Sequence, residues 1–310
     1  MPSLKSNIYP VLLRLIRAKK VISREFSKED FRKRQRPTGP PERMRASFDI
    51  DCQLSTHKRT IWRLKKRNTA VRGYILYMHG GGYVHNITKY DWPFLEKILQ
   101  QTDYGIIVPD YPLAPAYSHI DVFKMIVPLY LELIQTIDSK EIVLMGFSAG
   151  GGIALALAQY LKKNELEQPG QIILLSPLLD GSLTNPDISL VAHRDPYIEV
   201  EGLRQAALAY SFDDNVRYYR VSPINGPIAG LAPISIFMGG RDILMPDGRK
   251  LTKLAAEAGV HINYREFPGM IHVWIFLQIP EARQAIQEII QTLQAASFNN
   301  AQEKQASHVE

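Results

Sequence analysis

The stretch EIVLMGFSAGGGIALALAQYLKK, residues 141–163, joins two patterns that meet at one serine. EIVLM is the short apolar run of a strand covered on both faces, and the residues after the glycines continue as an apolar helix ending in two lysines. Between them stands Gly146-Phe147-Ser148-Ala149-Gly150, a G-x-S-x-G string. The string alone is common. Strand, sharp turn and helix around it make it specific, because such a turn strains the serine backbone and lifts Oγ above a sheet edge. Gly150, Gly151 and Gly152 open the helix at roughly 1 kcal/mol each relative to alanine, and close packing at the turn is the physical offset. Ser148 is therefore the candidate nucleophile.

Outward from this unit, strands and helices alternate. Strands are expected at Phe48–Leu54, Thr60–Leu64, Gly73–Met78, Ile106–Val108, Glu141–Met145, Gln171–Leu175, Pro233–Met238 and Ile262–Phe267. Helices are expected at Asp121–Thr136, Gly150 to about Lys163, Asp247–Ala258 and Glu281–Ala295. The alternation predicts parallel βαβ units, and short apolar strands predict a sheet covered on both faces: an α/β fold. Residues 181–225 interrupt the rhythm with a polar loop, a helix at Val200–Tyr210 and a Tyr-rich segment, which reads as a lid. Residues 3–34 carry apolar positions at helical spacing among basic residues, ended by Pro37, Pro40 and Pro41. The polar tail 297–310 is expected to fray.

A second glycine cluster, His79-Gly80-Gly81-Gly82-Tyr83, follows the strand GYILYM. Consecutive glycines let backbone N–H groups point at a developing oxyanion. The expected donors are Gly81 N, Gly82 N and Ala149 N, the last following the candidate nucleophile. No Lys-Ser/Thr of a P-loop follows and no G-x-G-x-x-G stands here, so a phosphate cradle is disfavoured. His79 reads as a residue that pins the loop.

A serine hydroxyl needs a base, and the base an orienting acid. In a sheet scaffold with this turn the chain order is serine, acid, histidine. His193, His261, His272 and His308 follow Ser148. His272, in FPGMIH past the last strand, sits at the expected sheet edge. His193 lies in the lid, His261 before a strand and His308 in the tail. Asp242, reached from the strand ISIFM through Gly239-Gly240-Arg241, is the first choice of acid, with Asp247 second and Asp180 and Asp195 less well placed.

At 310 residues, 45% hydrophobic and 22% charged, the composition is that of an ordinary globular enzyme. No apolar run approaches the ~18–20 residues that span a bilayer, and VLLRLI at 11–16 is too short and broken by Arg14 for a signal peptide or anchor. The lone Cys52 forms no internal disulfide, which predicts a reducing, cytoplasmic setting; it reads as a packed residue rather than a reactive thiol. H-E-x-x-H and cysteine pairs are absent, so neither metal nor cofactor is expected. Residues 1–72 hold twenty Lys and Arg against six Asp and Glu. A solvated helical face with a basic surface strand is the simplest reading, with weak membrane-surface contact the second. Stacking aromatics do not interleave the run, which argues against nucleic acid.

Together HGGGY (79–83), DYPLAP (110–115), GFSAGG (146–151), SPLLD (176–180), GGRDIL (239–244) and FPGMIHVW (267–274) resemble the hormone-sensitive-lipase-like carboxylesterases among the α/β-hydrolases, over roughly residues 47–290. The resemblance implies an α/β-hydrolase fold: a mostly parallel twisted central sheet with helices on both faces. It implies one domain over 1–310, capped by about 1–46 plus 181–225. It also implies a Ser148–Asp242–His272 triad, an oxyanion hole from the HGGG loop and a small-molecule ester, with short acyl chains, as substrate. The alternatives are amidase, arylformamidase-like or peptidase activity on the same triad, and a non-catalytic binding protein. Two departures bear on pocket shape: Phe147 stands where the family commonly has Asp, and DYPLAPA (110–116) replaces DYRLAPE. The aromatic residues Tyr83, Tyr210, Tyr218, Tyr219 and Trp274, with Met270, are candidates either for a substrate pocket or for ordinary packing.

Overall fold

The computed structural model describes residues 2–20, 38–55, 57–212 and 215–306, with side chains described through residue 295. Eight strands form one sheet: β1 (Phe48–Leu54), β2 (Thr60–Lys66), β3 (Gly73–Met78), β4 (Tyr104–Pro109), β5 (Ile142–Phe147), β6 (Gln171–Leu175), β7 (Ile234–Gly239) and β8 (Ile262–Phe267), in the order β1-β2-β4-β3-β5-β6-β7-β8. β2 pairs antiparallel with β1 and β4, and every pairing from β4 through β8 is parallel. The α/β expectation from the alternating pattern is met.

The described helices are α1 (Leu4–Leu15), α2 (Asp91–Gln101), α3 (His119–Ile134), α4 (Ala149–Lys163), α5 (Ile188–Val191), α6 (Val200–Ser211), α7 (Met245–Glu257) and α8 (Pro280–Ala306). The strand and helix pattern of the sequence does not predict α2, whose Trp92, Leu95, Ile98 and Leu99 nonetheless fall at helical spacing and are buried. α3 begins at His119 because Ser118 caps it: its Oγ accepts from Ile120 N while its own N–H donates to Asp121. α8 continues to Ala306, past its expected end; residues 307–310 of the tail, like residues 21–34 of the basic segment, lie outside the described residues.

Pleating divides the apolar residues between two layers. Leu144 pairs with Ile172 and Ile172 with Ile234 in register, and all three face the layer that α3, α4, α6 and α7 cover. Met145 pairs with Ile173 and faces the opposite layer, under α2 and α8. β1 is an edge strand and mostly exposed, so Cys52 is exposed and not packed as expected. No described helix is long and apolar enough to cross a membrane.

Parallel strands deliver their carboxyl ends to one edge. The loops after β3, β5, β7 and β8 carry His79–Tyr83, Ser148, Asp242 and His272 respectively. The turn from β5 into α4 is the tightest of these. A Cβ on Gly146 would lie 2.2 Å from Gly150 O, and one on Gly150 would lie 2.1 Å from Met78 O and 2.4 Å from His79 O. All these obstacles are backbone atoms, which cannot swing aside. Gly150→Ala is therefore expected to lower stability by about 3 kcal/mol, read as a shifted urea midpoint. A midpoint equal to the native chain's would mean that the crossing of β3 and α4 relaxes freely.

Candidate active site

Ser148 sits at φ 54°, ψ −121°, between the end of β5 and the start of α4. For a residue with a side chain this left-handed backbone costs of order 1–3 kcal/mol. Hydrogen bonds hold it there: Ser148 N donates to Leu175 O at 2.9 Å, and Ser148 O accepts from Leu178 N at 2.9 Å and Gly151 N at 3.0 Å. The turn lifts Oγ off the strand and toward the loop after β8.

That loop brings His272 to it. His272 Nε2 lies 2.9 Å from Ser148 Oγ, and Nδ1 lies 2.7 Å from Asp242 Oδ2. All three side chains are buried, Asp242 completely. An ionised carboxylate only accepts, so Nδ1 carries the proton and Nε2 is left to accept from the serine hydroxyl. Asp242 Oδ1 accepts in addition from Leu244 N at 2.9 Å, which fixes the carboxylate across its own turn. Residues 94 and 30 positions apart thus meet in one chain of hydrogen bonds. His193 and His261 are exposed and His308 lies outside the described residues, so His272 alone among these is placed at the serine.

The glycine loop folds beside this chain. Gly81 and Gly82 have φ of +114° and +59°, and a Cβ on Gly81 would strike His85 O at 2.6 Å. Among the described residues no protein acceptor takes the N–H of Gly81, Gly82 or Ala149. His79 pins the loop, as its sequence position suggested. Its ring stacks on Tyr111 at 4.1 Å, Nδ1 reaches Gly80 O at 2.7 Å, and His79 O accepts from Tyr111 OH at 2.7 Å. Nε2 lies 3.6 Å from Asp110, whose other oxygen holds Arg59 at 2.8 Å. Arg59 also bonds Asn86, so the residue just before strand β2 braces the loop.

Phe147, the departure from the family pattern, packs 5.0 Å from the His272 ring and 4.7 Å from Phe276. It also occupies the space a Cβ on Gly80 would need, at 2.5 Å. Tyr83 and Tyr210 stack at 3.9 Å with parallel rings, and burial raises both phenols above their ordinary range, so they stay neutral. Trp274 and Met270 pack in the core layer under α2 and α8, with Trp274 4.4 Å from Phe267.

Two carboxylates given lower standing in the sequence prove to tie the 181–225 segment to these loops. Asp195 Oδ1 accepts from Tyr197 N and Ile198 N, and Oδ2 reaches across to Ile243 N at 3.1 Å, next to Asp242. Tyr197 stacks over His272 at 6.1 Å. The Asp-Pro-Tyr turn was legible as an Asx turn; its bond to Ile243 was not, because that contact spans 48 residues. Asp247 lies in the first turn of α7, as its sequence position suggested, and accepts from Asn185 at 2.8 Å. Burial pushes both carboxyls up to about 6, with the Asp242 charge adding to the effect at Asp195.

A family profile described as the α/β hydrolase fold matches residues 75–276, more than half of the chain. An esterase of Acinetobacter venetianus is 29% identical over 268 residues, 80% of this chain and 87% of its own length. An acetyl-hydrolase of Streptomyces hygroscopicus is 27% identical over 216 residues, 69% of this chain and 72% of its own. Among solved structures, an esterase of the bacterial hormone-sensitive lipase family superposes with a TM-score of 0.79 over 96% of this chain and 99% of that one, at 24% identity. At that identity the last likeness bears on the fold.

Asp195 generates a pH-dependent expectation. Its carboxyl titrates near 6 in the folded chain and near 3.8 when unfolded. Between those values the folded state binds more protons, so stability falls as pH rises from about 4 to about 6. Asp195→Asn removes this contribution while other groups cancel in the comparison. The stability difference, native minus variant, should shrink by up to about 3 kcal/mol across that window. Urea midpoints at each pH measure it, and a constant difference would exclude Asp195 as the titrating group.

Proposed function

The chain belongs to the α/β-hydrolase family and is a hydrolase of that fold, and from this premise we propose that it cleaves small carboxylic esters through an acyl-enzyme on Ser148. One observation carries the reading: Ser148 Oγ, His272 and Asp242 form a continuous chain at 2.9 and 2.7 Å, drawn from three separate loops. In the proposed reaction His272 Nε2 takes the serine proton as Oγ attacks the ester carbonyl. The free N–H groups of Gly81, Gly82 and Ala149 receive the oxyanion, each such donor being worth about 2.7–4 kcal/mol in the transition state. The alcohol leaves with the proton from His272, and water repeats the sequence on the acyl-enzyme. Asp242 holds the imidazole tautomer and stabilises its charged form.

The acyl group proposed is short, in keeping with the acetyl-hydrolase name of one relative. A cap built from about 1–46 plus 181–225 over a single domain is supported by the ties of Asp195 to Ile243 and Asn185 to Asp247. It is supported further by Lys19, which donates to Ala192 O at 2.9 Å and so joins the two parts of that cap. A single exposed cysteine suits the proposed cytoplasmic setting.

A panel of p-nitrophenyl acyl esters tests the assignment. Ser148→Ala should lose at least about 10³-fold in kcat with its fold intact, and turnover should be highest on the shortest acyl chains. Wild-type rates in the variant would remove Ser148 from the mechanism. Matched amides and formamides form the second arm: faster turnover of these than of the ester would transfer the same triad to amide hydrolysis.

A further inference from the structure

Helix α1 is apolar on two opposite faces. Its inner face is anchored: Ser6 and Pro10 are buried, Tyr9 and Leu13 pack against the core layer under α2 and α8, and Ser3 and Ser6 bond Glu281 of α8. Its outer face is a stripe at helical spacing, Leu4, Ile8, Val11, Leu12, Leu15 and Ile16, with exposures from 50% at Leu12 to 86% at Leu4. Of the thirteen large apolar side chains exposed among the described residues, five stand on α1 and a sixth, Ile16, is its C-cap. Clustered exposed apolar residues mark an interaction site.

The charge carried by the segment itself has one sign, although Asp195 and Glu199 line the cavity against its last turn. Residues 2–20 hold Lys5, Arg14, Arg17, Lys19 and Lys20 and not one Asp or Glu. A cavity of about 500 Å³ beside the helix is lined by Pro2, Arg14, Arg194, Gly240, Arg241 and Gly269, again with no carboxylate. An apolar stripe on a short helix rimmed by cations is the pattern of a segment lying in a bilayer interface, with the side chains among acyl chains and the cations at phosphate depth.

We propose that the outer face of α1 docks on an anionic phospholipid surface. The helix is about 18 Å long by its 1.5 Å rise per residue, which suits lying flat rather than spanning. Docking would turn the candidate site toward the bilayer: Pro2 covers Gly269 in the His272 loop, Arg14 donates to Arg194 O, and Lys19 reaches Asp195 O at 3.4 Å. The inference goes beyond the ester reading and does not rest on it, since its readout is binding.

Flotation of the full chain with vesicles tests it. The chain should float with phosphatidylcholine vesicles containing phosphatidylglycerol, remain largely behind with phosphatidylcholine alone, and lose binding as salt rises. Combining Ile8→Glu, Leu12→Glu and Leu15→Glu should lower partitioning about a hundredfold or more, with the unfolding midpoint and turnover of a soluble ester unchanged. Failure to float with anionic vesicles at low salt, or equal flotation of the variant, would overturn the proposal. So would a dimer in sedimentation velocity that the same substitutions dissolve, which would assign the stripe to a second copy.

Discussion

The strained backbone at Ser148 is the constraint on which the rest is arranged. A left-handed serine persists only where its surroundings over-determine it, and here a strand on one side and a helix on the other do so. Ser148 N is held by Leu175 of β6, and Ser148 O by N–H groups of α4 and of Leu178. The crossing of α4 over the end of β3 leaves no room for side chains at Gly146 or Gly150. Loosening either contact would let the serine relax into an ordinary turn, and Oγ would leave the reach of His272.

Around that turn the polar groups are dry and divided in role. Asp242 is fully buried and spends one oxygen on His272 and the other on Leu244 N. Asp195, buried beside it, adds a second negative charge that the protein holds through three backbone N–H groups. On the opposite side the Arg59–Asp110 pair and the His79–Tyr111 stack brace the glycine loop from the residue before β2 and from the loop after β4. A proposed reaction that moves one proton between Ser148 and His272 is thus flanked by fixed groups, and electrostatic preorganisation of this kind needs little reorganisation as charge develops.

The N-terminal helix belongs to this arrangement physically, though it lies far away in sequence. Its inner face is latched to α8 by Glu281, and its last turn and the residues just beyond it are latched to the loop that carries Asp195. The same segment stacks Tyr197 over His272. Lys5 and Arg14 share α1 with the apolar stripe, and Arg17, Lys19 and Lys20 follow directly after it.

Much of the framework was legible before any coordinates. GFSAG after a strand, HGGG after another, and the order serine, acid, histidine follow from local backbone requirements, so Ser148, Gly81, Gly82, Asp242 and His272 could be named by spacing. Strand and helix alternation likewise follows from periodicities of two and 3.6, which the chain carries in each segment. Asp195 at Ile243, Phe147 against His272, Arg59 under the glycine loop, exposed Cys52 and the outward stripe of α1 are different in kind. Each depends on which distant segments meet, and a residue's own neighbours carry no record of that. Sequence by itself determined the turn, the sheet and the roster of candidate groups, because short-range sterics act there; only the tertiary structure decided which groups touch, which are dry and which apolar face is left uncovered, because those are properties of packing.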